Sequence, residues 1–247
     1  VGFALSKSSG ISDVQKSFFN PKFFTTWEFN KSILLGLLLN LKVMLITEFF
    51  VLIFGSLIAL ARTNRNPILY PIKLLATIYT DIFRGLPLLL VLLLVGFGVP
   101  GLQLSWLPNS AVLLGTVSLI LTYSAYVAEV IRAGIEAVHP TQRMAARALG
   151  LSSAKTQRHV VLPQAFRKVL PPLLNDLVSL QKDSGLISVL GAIDAIRAAG
   201  IETAQSFNFT PYLVAGFFFV LLTIPLTRYT DWLTKRQDLA RQQQGQW

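Results

Sequence analysis

The chain has 247 residues, of which 53% are hydrophobic and only 14% charged, and its mean hydropathy is +0.56. A water-soluble domain of this length rarely reaches such values, so the composition predicts an integral membrane protein. The sequence contains no cysteine, which excludes disulfides, thiolate metal sites and cysteine nucleophiles.

The first thirty residues lack the apolar core of a cleavable signal, and we expect the first span itself to direct insertion. Aromatic side chains alternate here with Lys and Glu, a mixture typical of a segment that lies at a membrane surface. We therefore predict that residues 1–30 form an interfacial extracytoplasmic segment, with a disordered tail as the alternative. The aromatic residues are Phe18, Phe19, Phe23, Phe24, Trp27 and Phe29.

Five apolar stretches have the length of about 20 residues that a helix needs to cross a hydrocarbon core ~30 Å thick. They are 32–61, 69–98, 110–131, 169–190 and 211–232. The fold class is therefore an all-α membrane protein with about five transmembrane helices. Gly85 and Pro87 should bend or break the second helix.

The net charge is +10, which in a soluble protein would suggest nucleic acid as a partner. The positions of the charges indicate a membrane topology instead, so no nucleic-acid partner is expected. Fourteen of the 22 Lys and Arg residues fall on one side of the predicted spans, and the positive-inside rule makes that side cytoplasmic. The N-terminus is then outside, and residues 236–247 form a cytoplasmic tail. The fourteen are Arg62, Arg65, Lys73, Arg132, Arg143, Arg147, Lys155, Arg158, Arg167, Lys168, Arg228, Lys235, Arg236 and Arg241.

The polar segment between the third and fourth spans is predicted to form a helix, a turn and a second helix. Residues 141–149 are rich in good helix formers and end at Gly150, the usual residue after a helix C-terminus. Ser152 or Ser153 can cap a second short helix, which Pro163 should end.

The first of these two helices has two different faces. One carries Ala145, Ala148 and Leu149, which are small or apolar, while Arg143 and Arg147 lie on the other. This pattern suits docking into a groove of another protein, and it equally suits a helix that rests on anionic lipid.

The same segment resembles the EAA loop of the permease subunits of ATP-binding-cassette (ABC) importers. The residues that carry the resemblance are Met144–Ala146, Gly150 and the run VVLP at 160–163; the family usually has glutamate at the position of Met144 and isoleucine at that of Val160. Other runs are similar to the polar amino-acid branch of that family, and the resemblance covers about residues 31–235. They are FRGLP (83–87), YVAEVIRAGIEAV (126–138), LPQAFRKVLPPLLND (162–176) and LQKDSGLISVLG (180–191).

The resemblance implies a type I ABC importer permease fold over residues 31–235, with 137–163 as the loop that couples it to an ATPase. It also implies a subunit that moves polar amino acids across the bacterial plasma membrane by alternating access. The implied partners are two ATPase subunits, an extracytoplasmic substrate-binding protein and a second permease subunit, either identical or similar. The implied coupling residues are Met144, Ala145, Ala146, Arg147, Leu149, Gly150 and Leu151.

The chain lacks a phosphate-binding loop of its own. The nearest approach, GLSSAKT at 150–156, has no second glycine and is predicted to follow a helix, whereas such a loop follows a strand. We therefore expect a transport subunit that is not an enzyme and binds no cofactor or metal. ATP and Mg²⁺ would be bound by the partner ATPase.

Ionisable residues inside the spans are costly and usually face a protein interior or an aqueous cavity. Asp81 with Arg84, and Glu129 with Arg132, are spaced to lie on one helix face and neutralise each other, and Glu136 could extend the second pair. We favour structural pairing for these groups over contact with substrate. Glu48 has no such partner, although an acid at mid-membrane costs roughly 2.5–3.5 kcal/mol.

Glu48 therefore needs a partner helix or a cavity, and Asp176, Lys182 and Asp183 form a second polar region. A stand-alone ion-coupled transporter that uses Glu48 and Asp183 is the alternative function, although the sequence has no evident inverted repeat. The candidate residues of a substrate pathway are Glu48, Asp81, Arg84, Glu129, Asp176, Lys182 and Asp183.

Overall fold

The computed structural model describes residues 10–64, 66–103 and 109–244. Within these ranges the chain is helical and holds no β-strand, so the predicted all-α fold is confirmed. Three helices are long and apolar enough to cross a membrane alone, and two bent helix pairs raise the number of possible spans to five. Each predicted apolar stretch falls on one of these five units, whereas Arg65 and residues 1–9 lie outside the described residues.

A short helical segment precedes the first span. Helix α1 (Ile11–Phe18) is followed by the single turn α2 (Lys22–Thr25), and both are joined to the start of the last helix. The amide of Phe209 donates to the carbonyl of Ser17 at 2.7 Å, and the rings of Phe18 and Phe209 stack with their centroids 5.1 Å apart. From residue 10 onward this segment is therefore helical and contacts the bundle through Ser17 and Phe18.

Helix α3 (Trp27–Thr63) forms the first span and has 37 residues. At about 1.5 Å per residue it is much longer than the hydrocarbon core is thick, so it projects beyond that core or tilts within it. The boundary predicted between residues 30 and 31 falls in the first turns of this helix.

The second span is broken at the predicted position. Helix α4 (Tyr70–Gly85) and helix α5 (Leu88–Gly101) meet at an angle of 105°. Leu86 between them has an extended backbone, with ψ at 137°, which is the conformation that a following proline favours. Pro87 thus ends α4 and sets the direction of α5.

Helix α6 (Ala111–Glu136) is the centre of the bundle. It packs against α3, α4, α5 and the fourth span, and 56% of its most apolar stretch is buried, compared with 33% for α3. Its side chains Tyr123 and Val127 share one buried cluster with Val51 of α3 and Leu180 of the fourth span. Every other membrane helix that reaches this cluster is therefore positioned by α6.

The predicted helix, turn and helix follow α6. Helix α7 (Pro140–Ala148) ends at a turn in which Gly150 has φ at +83°. The amide of Gly150 donates to the carbonyl of Arg147, and the amide of Leu151 donates to that of Ala146, which is the Schellman arrangement at a helix end. The predicted role of Gly150 at the end of this helix is thus confirmed.

Helix α8 (Ser153–Thr156) begins at Ser152, whose hydroxyl accepts a hydrogen bond from the amide of Lys155. The predicted end of this helix before Pro163 is wrong. A π-helical turn over Gln157–Val161 leads directly into helix α9 (Leu162–Asp183). The wider turn shifts the hydrogen-bond register and accommodates Pro163, which has no backbone N–H to donate.

A 3₁₀ stretch, Ser184–Leu190, extends α9. The span then bends by 48° before helix α10 (Ala195–Ser206), and helix α11 (Thr210–Gln244) completes the fold. The helix of α11 thus continues into the predicted C-terminal tail.

A buried hydrogen-bond node fixes the bend of the fourth span. The side-chain amide of Asn40 donates to Oδ2 of Asp194 at 3.0 Å and to the carbonyl of Ser184 at 3.1 Å. The other oxygen of Asp194 accepts from the amide of Arg197 at 2.8 Å and so caps α10. Asn40 and Asp194 are at most 1% exposed, and a polar group at such a depth is tolerated because it is hydrogen-bonded.

The bundle has two chemically different ends. One end carries α7 and α8 together with the C-terminal ends of α3, α4 and α6, and we call it the basic end because Arg62, Arg84, Arg132, Arg143 and Arg147 lie there. The opposite end carries α1, α2 and the beginnings of α3 and α11.

Gly36 permits the close approach of α3 to the start of α10. A Cβ atom at this position would lie 2.3 Å from the amide nitrogen of Ala195, which is backbone and cannot rotate away. We predict that Gly36→Ala lowers the free energy of unfolding by about 1–3 kcal/mol, as overpacking does. Thermal unfolding of the purified chain in detergent measures this.

Gly216→Ala is the matched control, because no atom lies within 4 Å of a Cβ at that position. The control should unfold at the same temperature or slightly higher, since alanine favours the helix by up to about 1 kcal/mol. Equal unfolding temperatures for both variants would contradict the predicted close packing.

Candidate functional site

The carboxylate of Glu129 on α6 holds three helix ends together at the basic end. Oε2 of Glu129 is 2.8 Å from Nη1 of Arg62 on α3 and 3.7 Å from Nη1 of Arg84 on α4. Arg132, one turn further along α6, donates to both oxygens, at 2.6 and 3.0 Å. Glu136 also pairs with Arg132. The predicted pairing of Glu129, Arg132 and Glu136 is therefore confirmed.

The predicted pair of Asp81 and Arg84 is wrong. Arg84 pairs with Glu129, while Asp81 is exposed and makes no ion pair with any described residue. The break after Gly85 explains this, because it frees Arg84 at the end of α4 to contact α6. Glu129 and Arg84 therefore serve as structural links between helices.

A second set of acidic residues lies deeper between α3, α6 and α9. The hydroxyl of Tyr123 on α6 donates to Oδ2 of Asp183 on α9 at 2.7 Å. Asp176, two turns earlier on α9, interacts electrostatically both with Tyr123 and with Glu48 on α3. We call Glu48, Tyr123, Asp176 and Asp183 the acidic cluster.

The acidic side chains of the cluster have no cationic partner among the residues that the structure describes. Oδ2 of Asp176 is buried and has no hydrogen-bond partner, and Glu48 makes neither a hydrogen bond nor an ion pair with any described residue. Two carboxylates in one partly buried site repel each other, and burial penalises their charged form. A cation that enters the site would relieve both costs.

Lys182 does not supply that cation. Its side chain is exposed, and it forms no salt bridge with Asp176 or Asp183. The arrangement therefore brings together Glu48, Asp176 and Asp183 from the predicted pathway residues, and it leaves Asp81, Arg84, Glu129 and Lys182 outside the cluster.

Helix α7 exposes the face that was predicted to suit docking. Met144 is 61% exposed and Leu149 84% exposed, and Ala145 and Ala148 are exposed beside them. Ala146 is buried at 5% exposure, so it packs α7 against its own chain and is not part of this surface.

The arginines of α7 are engaged with backbone carbonyls of their own chain. Nη2 of Arg143 donates to the carbonyl of Ile135 at 2.7 Å, and Nη1 of Arg147 donates to that of Leu151 at 2.9 Å. The surface that α7 presents outward is consequently small and apolar. This composition favours docking to a protein groove over binding of this exposed face to anionic lipid.

Comparison with known proteins identifies the family. Residues 51–239 match the model of the binding-protein-dependent transport system inner membrane component, a range that includes α6, α7 and the whole fourth span. The chain belongs to this family. As a member it is a multi-pass inner-membrane transport component, and the ends of α7 and α9 that carry the resemblance to the EAA loop fall inside the matched range.

Curated members of this permease family are similar over most of their length. A putative glutamine transport system permease of Rickettsia conorii is 38% identical over 83% of this chain and 89% of its own. The arginine transport system permease of Bacillus subtilis is 36% identical over 79% of this chain and 87% of its own.

Solved structures agree with the fold. A crystal structure of an amino acid ABC transporter with histidines superposes with a TM-score of 0.79 at 33% identity, covering 87% of this chain and 98% of that one. An inward-facing structure of a methionine ABC transporter has a TM-score of 0.70 at 17% identity over 86% of this chain and 99% of its own. The second similarity concerns the fold alone, and both match the type I permease architecture predicted from the sequence.

Two residues that shape the site, Arg62 and Tyr123, are not among the residues predicted from the sequence. Arg62 was counted only as a positive charge of a loop, yet it is a principal partner of Glu129. The sequence does place Arg62 at the end of the first predicted span and Glu129 near the end of the third, and these two ends lie on the same side of the membrane, which would have indicated a contact. Tyr123 had no signal of its own, because its contact with Asp183 depends on the packing of α6 against α9.

We predict that Glu129→Gln destabilises the chain by about 2 kcal/mol, because Arg62 and Arg132 would keep their charges in a partly buried site without a carboxylate. For a chain of this size, that corresponds to a fall of roughly 4–8 °C in the unfolding temperature. Circular dichroism of the detergent-purified chain measures the change.

Glu136→Gln is the control for this prediction. Its carboxylate also pairs with Arg132 but is 57% exposed, compared with 21% for Glu129. An exposed pair contributes about 0–1 kcal/mol, so the control should unfold within roughly 3 °C of the unmodified chain. A larger fall for Glu136→Gln than for Glu129→Gln would show that Glu129 does not hold the helix ends together.

Proposed function

We propose that the chain is the permease subunit of an ATP-driven importer of polar amino acids. Separate ATPase subunits would dock on α7 and hydrolyse ATP, so that ATP and Mg²⁺ belong to those subunits and this chain binds no cofactor. A second permease subunit and an extracytoplasmic binding protein complete the proposed assembly. The observation that carries the proposal is the exposed apolar face of α7, which is joined through α8 to the helix that holds Asp176 and Asp183.

The basic end is proposed to be cytoplasmic. Arg62, Arg84, Arg132 and the arginines of α7 are gathered there, as the positive-inside rule requires. The N-terminal segment would then lie outside. The coupling surface for the ATPase consists of Met144, Ala145, Ala148 and Leu149, and Arg147, Gly150 and Leu151 hold the turn that orients it.

The acidic cluster is proposed to contact the substrate during its passage. Every amino acid carries an α-ammonium group, and Glu48 and Asp176 have carboxylates without a cationic partner among the described residues. Glutamine and arginine, the substrates that the names of two relatives give, both carry this group. No observation favours the alternative of a stand-alone ion-coupled transporter.

We predict that Glu48→Gln raises the KM for uptake about tenfold without loss of assembly, because the neutral amide loses a charge-assisted contact worth about 1.5–3 kcal/mol. Uptake of labelled glutamine and arginine into proteoliposomes that contain the complete importer measures the effect. Asp176→Asn should give a similar change.

Glu28→Gln removes one acid from the first turn of the same helix, in an exposed position, and should leave the KM unchanged. If Glu48→Gln and Asp176→Asn transport with the KM of the unmodified importer, the acidic cluster has no part in the pathway.

We also predict that Ala145→Glu weakens binding of the ATPase subunit and uncouples ATP hydrolysis from uptake, because it places a charge on the exposed apolar face of α7. Co-purification of the ATPase, together with ATP hydrolysed per substrate transported, measures both effects. Gly150→Val should act in the same direction, since φ at +83° is strained for a β-branched residue.

Each of these two variants has a matched control. Gln142→Glu adds the same charge to α7, but its side chain is turned to Gln164 on α9 and the new carboxylate can still accept that hydrogen bond. Gly150→Asn keeps a residue that tolerates the left-handed conformation. Retention of the ATPase by Ala145→Glu at the level of Gln142→Glu would refute the proposed docking surface.

A further inference from the structure

A cavity of about 820 Å³ lies behind α7 at the basic end. Its walls are the C-terminal ends of α3 and α6, Lys73 of α4, and residues of α7 and α8. The cavity therefore lies at the level where the membrane helices end, and this is the depth of the lipid headgroups. Arg143 and Arg147, one turn apart on α7, face it from the side of that helix opposite Ala145 and Leu149.

The lining carries an excess of positive charge. It contains the cations Arg62, Lys73, Arg143 and Arg147 and a single acid, Glu136. Arg62 pairs with Glu129, and Glu136 pairs with Arg132. The three remaining cations have no acidic partner among the residues that the structure describes, so the cavity attracts an anion.

Two buried polar atoms of the lining point to an oxygen-rich ligand. Oγ1 of Thr156 and Nε of Arg143 are buried and have no hydrogen-bond partner, and Thr156 is only 5% exposed. A hydroxyl and a guanidinium N–H are both donors that suit a phosphate oxygen, and charge-assisted hydrogen bonds of this kind are the strong ones. An unpaired buried donor is costly, and a bound phosphate would satisfy both.

We propose that this cavity binds the phosphate headgroup of an anionic membrane phospholipid. The bilayer supplies such groups at this depth, and basic pockets between the ends of membrane helices are suited to them. An acidic side chain of the ATPase is the other possible occupant, but Ala145 and Leu149 of the docking surface lie on the opposite side of that helix. The bound lipid would connect α7 to the ends of α3 and α6.

Native mass spectrometry of the purified full-length chain in detergent tests this proposal, with equimolar phosphatidylglycerol and phosphatidylcholine as probes. The unmodified chain should retain phosphatidylglycerol in preference. In the double variant Lys73→Gln, Arg147→Gln, its affinity should fall on the order of tenfold, because each basic residue near a membrane surface contributes a several-fold factor. Addition of inorganic phosphate should leave the retained lipid in place.

The control is the double variant Lys155→Gln, Arg158→Gln, which removes two exposed positive charges from α8 and the π-helical turn but none from the cavity lining. It should retain phosphatidylglycerol as the unmodified chain does. Thr156→Val removes one hydroxyl with little change in shape, and a several-fold loss of affinity is expected for it too, with an unchanged unfolding temperature.

Four results would overturn the proposal. An equal loss in both double variants would mean a general charge effect of the basic end. Displacement of the lipid by inorganic phosphate would identify a soluble anion as the occupant. Loss of ATPase co-purification with full lipid retention in the single variant Lys73→Gln would assign the cavity to the ATPase. Equal retention of both lipids by the unmodified chain would show that the cavity does not select an anionic headgroup.

Discussion

The ion pairs of the Glu129 carboxylate hold the helices together at the basic end. This carboxylate contacts arginines from three helices at once, and Arg62 and Arg132 are buried deeply enough that the loss of this partner would be costly. Because α3, α4 and α6 meet at this carboxylate, the C-terminal end of α6 is fixed relative to α3 and α4, and so is the start of the segment that leads to α7. The position of α7, and with it the surface offered to a partner, follows from that meeting point.

Glu129 and the acidic cluster differ in their cationic partners, and this difference distinguishes a structural role from the proposed binding role. Three arginines surround the single negative charge of Glu129, and both of its carboxylate oxygens accept hydrogen bonds from Arg62 or Arg132. Glu48 and Asp176 have no positively charged partner among the described residues, although charges inside a membrane are normally compensated. A folded chain that keeps uncompensated carboxylates between its helices gives up stability there, and binding sites are where proteins commonly do so.

Much of the fold could be predicted from composition and spacing, because the length of an apolar run is set by the bilayer and a proline restricts the backbone of the residue before it. Gly85, Pro87 and Gly150 acted locally, and their effects were predicted correctly. Pro163 was not, since the π-helical turn before it depends on how α8 and α9 pack. The partners of Arg84 and Tyr123 also lay beyond prediction, because such contacts join residues more than forty positions apart and exist only once α6 has its neighbours.

The continuous helix from Ser153 to Leu190 has a mechanical consequence. This segment contains no loop between the turn at Gly150 and the joint held by Asn40 and Asp194, although a π-helical turn, the pair Pro171 and Pro172, and a 3₁₀ stretch interrupt its regular α-helix. In the proposed function, a displacement of α7 would pass through this continuous helical segment to Asp176 and Asp183, which precede the joint at Asn40 and Asp194. The acidic cluster would thus lie between the surface that receives the motion and the joint at which the span bends.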